Sequence, residues 1–182
     1  SGRNYLTGLL WAIEGLAWAP EYLSRSLVIL GELDSHDPGG NWANRPLNSI
    51  IDILLPWLPN TTADINRRIA AFKALEREYP DTAWRVLVQL LPNNTSTTSG
   101  THIPTFRNFI PNDFNKEPSN DEYRAQIETY SQLTIKLASK SSLRLIDLVE
   151  NIDKLSPFKF DDAIKLLYEF SKKPDSDELK LE

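Results

Sequence analysis

The sequence contains no cysteine and no methionine among its 182 residues. Without cysteine the chain forms neither disulfides nor thiolate metal sites, so the reducing cytoplasm is its default location. No run of about 18 apolar residues is present, and the N-terminus lacks the basic, apolar and small-residue order of a signal peptide. Because methionine is absent and the chain opens on Ser1-Gly2, we expect a piece excised from a longer protein.

Positive charge is also scarce: the chain has 20 Lys and Arg compared with 25 Asp and Glu, which gives a formal net charge of -5. Proteins that bind phosphate backbones concentrate Lys and Arg on one surface, so this acidic balance disfavours nucleic acid. Period-two alternation of β-branched residues is nearly absent, which argues against a sheet. The hydrophobic content of 41% is nevertheless enough to bury a core in a chain of this length.

Apolar side chains recur at helical spacing along most of the chain, which predicts an all-α protein. In the first helix, predicted over 5–18, Leu6, Leu9, Ile13 and Leu16 form one stripe. Three predicted helix hairpins begin near residues 5, 62 and 141, with looser connections between them. The pattern predicts stacked hairpins in a right-handed superhelical array of the HEAT or TPR type, more than a four-helix bundle.

Helix ends are predicted from the residues that cap them. Thr61 or Thr62 is placed to cap the fourth helix, and Asn120 is placed to cap the sixth, because short polar side chains bond the free amides of a first turn. The chain is predicted to close with a hairpin of two helices, over 141–155 and 160–173.

The helical pattern is interrupted over 92–119, a connection far longer than usual. Its first part, 93–100, is small and polar and is expected to be mobile. The second part, 103–114, carries Ile and Phe side chains that are unfavourable in water, which predicts an ordered strap lying against the helices. We therefore expect N-terminal hairpins plus the strap (1–119), further helices of the same array (120–174) and a frayed tail (175–182).

The stretch HDPGGNWANRP, residues 36–46, has the glycines of a ligand loop but lacks GxGxxG spacing, a preceding strand and a P-loop lysine. The interpretation we favour is a connector between helices. In it the glycines supply positive φ, Trp42 packs back on the helices, and Arg45 bonds nearby carbonyls or a carboxylate such as Asp34 or Asp37.

Candidate chemistry is sparse. The two histidines, His36 and His102, fall in separate loops without metal-ligand spacing, so we expect no metal and no cofactor. Ser99 near His102 lacks a nucleophile elbow, and no catalytic residues are assigned. The alternative is a hydrolase-like enzyme with a pocket between the 36–46 and 101–114 loops. Its residues would be His36, Asp37, Arg45 and His102.

The densest basic group spans the fourth and fifth predicted helices and comprises Arg67, Arg68, Lys73, Arg77 and Arg85. Such a group suits an acidic partner or a nucleic-acid backbone. Neighbouring acids largely cancel its field, so we favour a solvated face and keep weak nucleic-acid binding as an alternative.

Four stretches, LLWAIEGLAWAPEYLSR, LDSHDPGGNWANRPLNSI, LLPWLP and GTHIPTFRNFIPNDF, resemble a helical segment of very large bacterial multi-domain proteins. Those proteins resemble signal-transducing NTPases or antiphage sensors, in which an effector and a nucleotide-binding module precede a helical repeat array. The resemblance implies a repeat fragment, with any enzymatic activity on other portions. It makes the matching loop residues structural or partner-contact candidates: Trp42, Arg45, Pro46, His102, Pro104, Phe106 and Arg107.

Pattern and resemblance together predict a non-catalytic binding or scaffold module. Packed hairpins present a curved surface on which another protein, or a neighbouring domain of the same parent chain, can lie. We expect a protein that neither spans a membrane nor acts as an enzyme, and that recognises a partner or transmits a conformational signal.

Overall fold

The structure is a computed structural model that describes residues 2–40, 43–93, 98, 100–105 and 107–172. In these ranges the chain forms eight α-helices and no strand, which confirms the all-α prediction. No helix in this part of the chain is long and apolar enough to cross a bilayer. The tail predicted over 175–182 lies outside the described residues. The helices are α1 (Gly2–Ala17), α2 (Pro20–Ser35), α3 (Pro46–Leu54), α4 (Ile65–Glu78), α5 (Pro80–Leu90), α6 (Asn120–Ala138), α7 (Ser142–Glu150) and α8 (Phe160–Ser171).

Helices α2, α3 and α5 each begin with a proline at the first position. Proline fits there because the first amides of a helix have no intrahelical acceptor and its φ is already helical. Helix α4 begins after Asp64, whose side chain accepts a hydrogen bond from the Arg67 amide at 2.8 Å. Thr62, a predicted cap, instead donates its hydroxyl to the Trp18 carbonyl at 2.9 Å.

The cap of α6 also differs from the predicted Asn120. Ser119 and Glu122 form a capping box, in which each side chain bonds the backbone amide of the other residue. These bonds from the Ser119 amide and hydroxyl lower the pKa of the Glu122 carboxyl. The box satisfies two free amides at once, and it fixes the point at which the long connection ends.

Helix α2 lies at the centre of the N-terminal half, where it contacts α1, α3, α4 and α5. Leu23, Leu27 and Leu30 are fully buried along it. Gly31 lets α4 approach closely, because a β-carbon there would come within 2.5 Å of the Leu75 side chain. Burial of these side chains is the main favourable term in forming the core.

The buried face of α1 differs from the predicted stripe. Leu10, Ile13 and Ala17 are buried, whereas Leu9 and Leu16 are exposed. Counting only large apolar residues overlooked Ala17, whose small side chain suits the close packing of α1 on its neighbours. The face is therefore rotated by about one residue.

The C-terminal half is organised around α6. Tyr130 is fully buried on this helix and donates its hydroxyl to the Leu54 carbonyl of α3 at 3.0 Å. Helix α7 packs on α6 and is joined to α5 by the indole of Trp84, which donates to Asp147 at 2.6 Å. Because Asp147 sits on α7, this bond ties the two halves together.

The last helices of the structure differ from the hairpin predicted over 141–155 and 160–173. The helix expected over 141–155 ends at Glu150 and is followed by a 3-10 turn, Ile152–Lys154. Helix α8 packs against α6 and the turn Pro157–Lys159 that precedes it. Its inner face carries Ala163, while Ile164, predicted to point inward, is exposed.

Candidate functional site

The loop at 36–46 is held by one ion pair. Arg45 Nε donates to Asp37 Oδ2 at 2.7 Å and Arg45 Nη1 donates to the Gly40 carbonyl at 3.2 Å. Burial alone would raise the pKa of the Asp37 carboxyl, but hydrogen bonds from Arg45 and the Gly39 amide outweigh it and lower the pKa below its ordinary value. Gly39 and Gly40 have φ of 83° and 125°, which favours glycine at both positions.

The loop lies between α2 and α3, and its role as a connector stays a prediction. The contact between Arg45 and Asp37 is one of the two predicted from the sequence, and the second candidate carboxylate, Asp34, binds elsewhere. Trp42, predicted to pack back on the helices, lies outside the described residues.

The strap contacts the α1–α2 hairpin through His102. Its amide donates to Glu14 Oε2 at 2.8 Å, and its carbonyl accepts from the Trp18 indole at 3.2 Å. The imidazole stacks on Trp11, with ring centroids 5.5 Å apart and planes 11° apart. His102 therefore fixes the strap by backbone bonds and ring stacking.

Aromatic contacts continue the strap along the same hairpin. Phe109 meets Tyr22 edge-on at 6.1 Å and Phe114 meets Trp18 edge-on at 6.4 Å. The Arg107 guanidinium lies 6.0 Å from the Phe109 ring centroid. Within the strap predicted over 103–114, Phe109 and Phe114 thus contact the helices, whereas Ile103 is 43% exposed. Phe106 is outside the described residues.

Glu14 is the buried group on which α1, α3 and the strap converge. Ser49 donates its hydroxyl to Glu14 Oε1 at 2.6 Å, and the second carboxylate oxygen takes the His102 amide. Burial raises the pKa of the nearby Asp52 carboxyl, and the negative charge of Glu14 raises it further. A hydrogen bond from the Thr98 hydroxyl lowers this pKa but does not cancel the rise. Glu14 follows Leu10 by four residues and so lies on the buried face of α1, a face that the stripe predicted from the sequence did not include.

The four residues of the alternative catalytic pocket have separate surroundings. His36 is exposed at the end of α2, Asp37 is bound to Arg45, and His102 stacks on Trp11. Among the described residues, no hydrogen bond, ion pair or ring contact joins His36, Asp37 or Arg45 to His102. The described ranges also contain no group of three or more potential metal ligands.

The four arginines differ in what they contact. Arg68 is buried and donates to Gln126 at 3.1 Å and to the Ala63 carbonyl at 3.1 Å. Burial lowers the pKa of this guanidinium. Arg85 pairs with the buried Asp34, and Arg77 pairs with its neighbour Glu78. Arg67 is exposed.

Sequence reasoning did not identify the groove between α6 and the chain over 153–158. Its volume is about 790 Å³, and its apolar lining comes from Tyr123, Ile127, Leu155 and Phe158. A hydrogen bond of 2.8 Å from the Ser156 amide to Ser131 fixes the outer wall on α6. We name this feature the α6 groove.

Charged side chains lie along the rim of the α6 groove. Glu128 pairs with Lys159 at 3.5 Å, and Lys154 donates to Asn151 at 2.7 Å. Arg124 and Asp153 also line the groove, and within the described ranges neither forms an ion pair. The groove therefore offers an apolar lining in which Arg124, Lys154 and Asp153 form no ion pair with a described residue.

No known protein family, characterised protein or solved structure matches this chain.

Proposed function

We propose that this chain is a non-catalytic binding or scaffold module of the cytoplasm, and that the α6 groove receives a segment of a partner protein or of a neighbouring domain. The observation that carries the proposal is the groove itself. Concave apolar sites with a few placed polar groups are the usual form of a binding site. The proposed occupant is a peptide segment with apolar side chains flanked by one acidic and one basic residue.

The exposure of Phe158 supports a ligand in the groove. Its side chain is 80% exposed, although an aromatic ring is among the groups that gain most from burial. A peptide covering this ring against Tyr123 and Ile127 removes apolar surface from water. Arg124 and Asp153 would then pair with the flanking charges of the peptide, which sets its direction.

The order in which helices pack supports a HEAT-like array. Three pairs of consecutive helices are in contact: α1 with α2, α4 with α5, and α6 with α7. The first pair contacts the second through α2 and α4, and the second contacts the third through α5 and α6. In helical repeats each pair likewise contacts its neighbours along the chain. Helix α3 is an addition between the first and second pairs.

We propose further that the array is part of a larger bacterial signalling protein, as the resemblance to such helical segments implies. In that setting a segment bound in the α6 groove would hold neighbouring parts of the parent chain together. The assignment of a non-catalytic role is supported by two buried carboxylates of the N-terminal half. Glu14 is bound by Ser49 and His102, and Asp34 is bound by Thr82 and Arg85.

Peptide selection tests the proposal. A displayed library of random peptides is selected on the full chain, and the affinity of enriched peptides is measured by fluorescence anisotropy. Phe158→Asp is expected to weaken binding at least about tenfold, a loss typical of a central aromatic contact. Tyr5→Asp is the matched control, because Tyr5 is 81% exposed at the opposite end of the chain.

The expected peptides carry apolar residues with an acid and a base nearby. The proposal is wrong if no peptide is enriched, or if the enriched peptides bind the Phe158 and Tyr5 variants equally well.

A further inference from the structure

Helix α8 carries apolar side chains on its outer surface as well as on its inner one. Ala163 is buried and Leu166, Leu167 and Phe170 pack against the core. On the other side, Phe160, Ile164 and Tyr168 are spaced by four residues and are 43%, 46% and 60% exposed. Residues four apart lie on one face of a helix, so these three form a continuous stripe, which we name the α8 stripe.

Charges of alternating sign lie along one side of the α8 stripe. Asp161, Lys165 and Glu169 each follow a residue of the stripe by one position, and Lys172 continues the same side one turn later. In the part of the chain that the structure describes, Asp161, Lys165 and Glu169 form no ion pair. The Lys172 ammonium lies 4.1 Å from the Tyr168 ring centroid.

The charges along this side of the α8 stripe are complementary to the same charges on a second α8 that runs in the opposite direction. If two copies of α8 pack antiparallel through their stripes, the same flank of each helix meets. Asp161 then faces Lys172 of the other copy, and Lys165 faces Glu169. A parallel two-fold arrangement would instead set this charged side against the opposite side of the partner helix, where Ala163 and Leu167 offer no charge to pair with. The charges therefore favour the antiparallel orientation, with a two-fold axis near Leu166 and Leu167. Ile164 then lies close to Tyr168 of the other copy, and Phe160 lies at the end of the contact.

The ten residues that follow Lys172 in this sequence, KPDSDELKLE, would cover the stripe poorly, because they contain only two large apolar side chains, Leu179 and Leu181, and six charged ones. Covering Phe160, Ile164 and Tyr168 requires a more apolar surface. A second α8 supplies an identical stripe together with matching charges.

We propose that the α8 stripe is a self-association surface, on which α8 of a second copy of this chain packs antiparallel about a two-fold axis. Such isologous contacts are the commonest way in which identical subunits associate. The surface is separate from the α6 groove, so the two proposals stand or fall independently.

Sedimentation equilibrium of the full chain tests the proposal. The monomer mass is 20.7 kDa, and a species of twice that mass is expected to grow with protein concentration. Ile164→Glu is expected to leave only monomer, because a charge would be buried in the apolar contact. Leu9→Glu is the control, since Leu9 is equally exposed at 46% but lies on α1. Circular dichroism checks that both variants keep their helices.

Charge exchange tests the orientation. Lys165→Glu and Glu169→Lys are each expected to raise the dissociation constant about tenfold, because two-fold symmetry places two like-charge contacts in every dimer. The double exchange is expected to restore the original constant, since it recreates both opposite-charge pairs. A chain that stays monomeric at about 0.5 mM, beyond the range of ordinary weak interfaces, overturns the proposal. So does a dimer that Ile164→Glu leaves intact, or single exchanges that are not rescued by the double one.

Discussion

Glu14 and His102 are 88 positions apart and are joined by a 2.8 Å hydrogen bond from the His102 amide to the Glu14 carboxylate. The bond attaches the strap to α1, and its acceptor is a buried side chain that also holds Ser49 of α3. A single carboxylate thereby connects three parts of the chain.

Replacing Glu14 by Ala tests this connection. Alanine has no side-chain acceptor, so both the Ser49 hydroxyl and the His102 amide lose their partner. We expect the free energy of unfolding to fall by about 1–3 kcal/mol in urea denaturation and amide exchange at His102 to accelerate. Glu21→Ala, on the exposed start of α2, is the control and should leave His102 exchange unchanged. Unchanged exchange at His102 would show that the strap is held by other contacts.

Two helical glycines are expected to respond in opposite ways to the same substitution. At Gly31 an alanine β-carbon would lie 2.5 Å from Leu75 and 2.8 Å from Tyr79, whereas at Gly8 nothing lies within 4 Å. Gly31→Ala should therefore destabilise the chain by about 1–3 kcal/mol through overpacking. Gly8→Ala should stabilise it by about 0.5–1 kcal/mol, the helix preference of alanine over glycine. Thermal and urea denaturation measure both changes, and equal signs would contradict the close packing of α2 on α4.

Tyr130 carries the hydroxyl that satisfies the last turn of α3. Removing it in Tyr130→Phe leaves the Leu54 carbonyl without this donor in the core, so we expect a loss of about 1–2 kcal/mol. Burial raises the pKa of the Tyr130 phenol, which keeps the group protonated as a donor. Tyr5→Phe, with an exposed hydroxyl, should leave the urea midpoint unchanged. A Tyr130 variant as stable as the parent would refute this role for the hydroxyl.

The Asp37 and Arg45 pair predicts a pH-dependent contribution to stability. Because the folded state holds the pKa of Asp37 below its unfolded value near 3.9, the stabilisation is present above about pH 4 and is lost as the pH falls through the folded pKa. Asp37→Asn should cost about 1–2 kcal/mol at pH 7. The difference from the parent should shrink towards zero near pH 2, measured by urea denaturation across that range. Asp153→Asn is the unpaired control, and a difference that persists in acid would assign the cost to packing.

The sequence predicts the helices of this chain well because amphipathic spacing is a local signal. It also predicts the strap, since Phe109 and Phe114 require apolar contact and find it on Tyr22 and Trp18. It does not predict how His102 acts, because the bonds involve backbone atoms that any residue would offer. Nor does it reveal the α6 groove, whose walls come from segments that only tertiary packing brings together.

The basic residues also show what the sequence alone does not predict. Arg67 and Arg68 are adjacent in sequence, yet one is exposed and the other is buried against Gln126 of α6. Neighbouring positions on a helix point in different directions, so a run of charges in the sequence does not define a surface. Only the partner helix decides which arginine is withdrawn from water.

Three of the bonds described above, from Arg68 to Gln126, Tyr130 to Leu54 and Trp84 to Asp147, join residues that precede the strap to residues that follow it. A peptide bond broken just ahead of α6 would therefore leave two fragments that still recognise each other. Expressed as separate polypeptides, 1–117 and 118–182 should reassemble without a covalent link, which makes this chain a natural candidate for a split reporter.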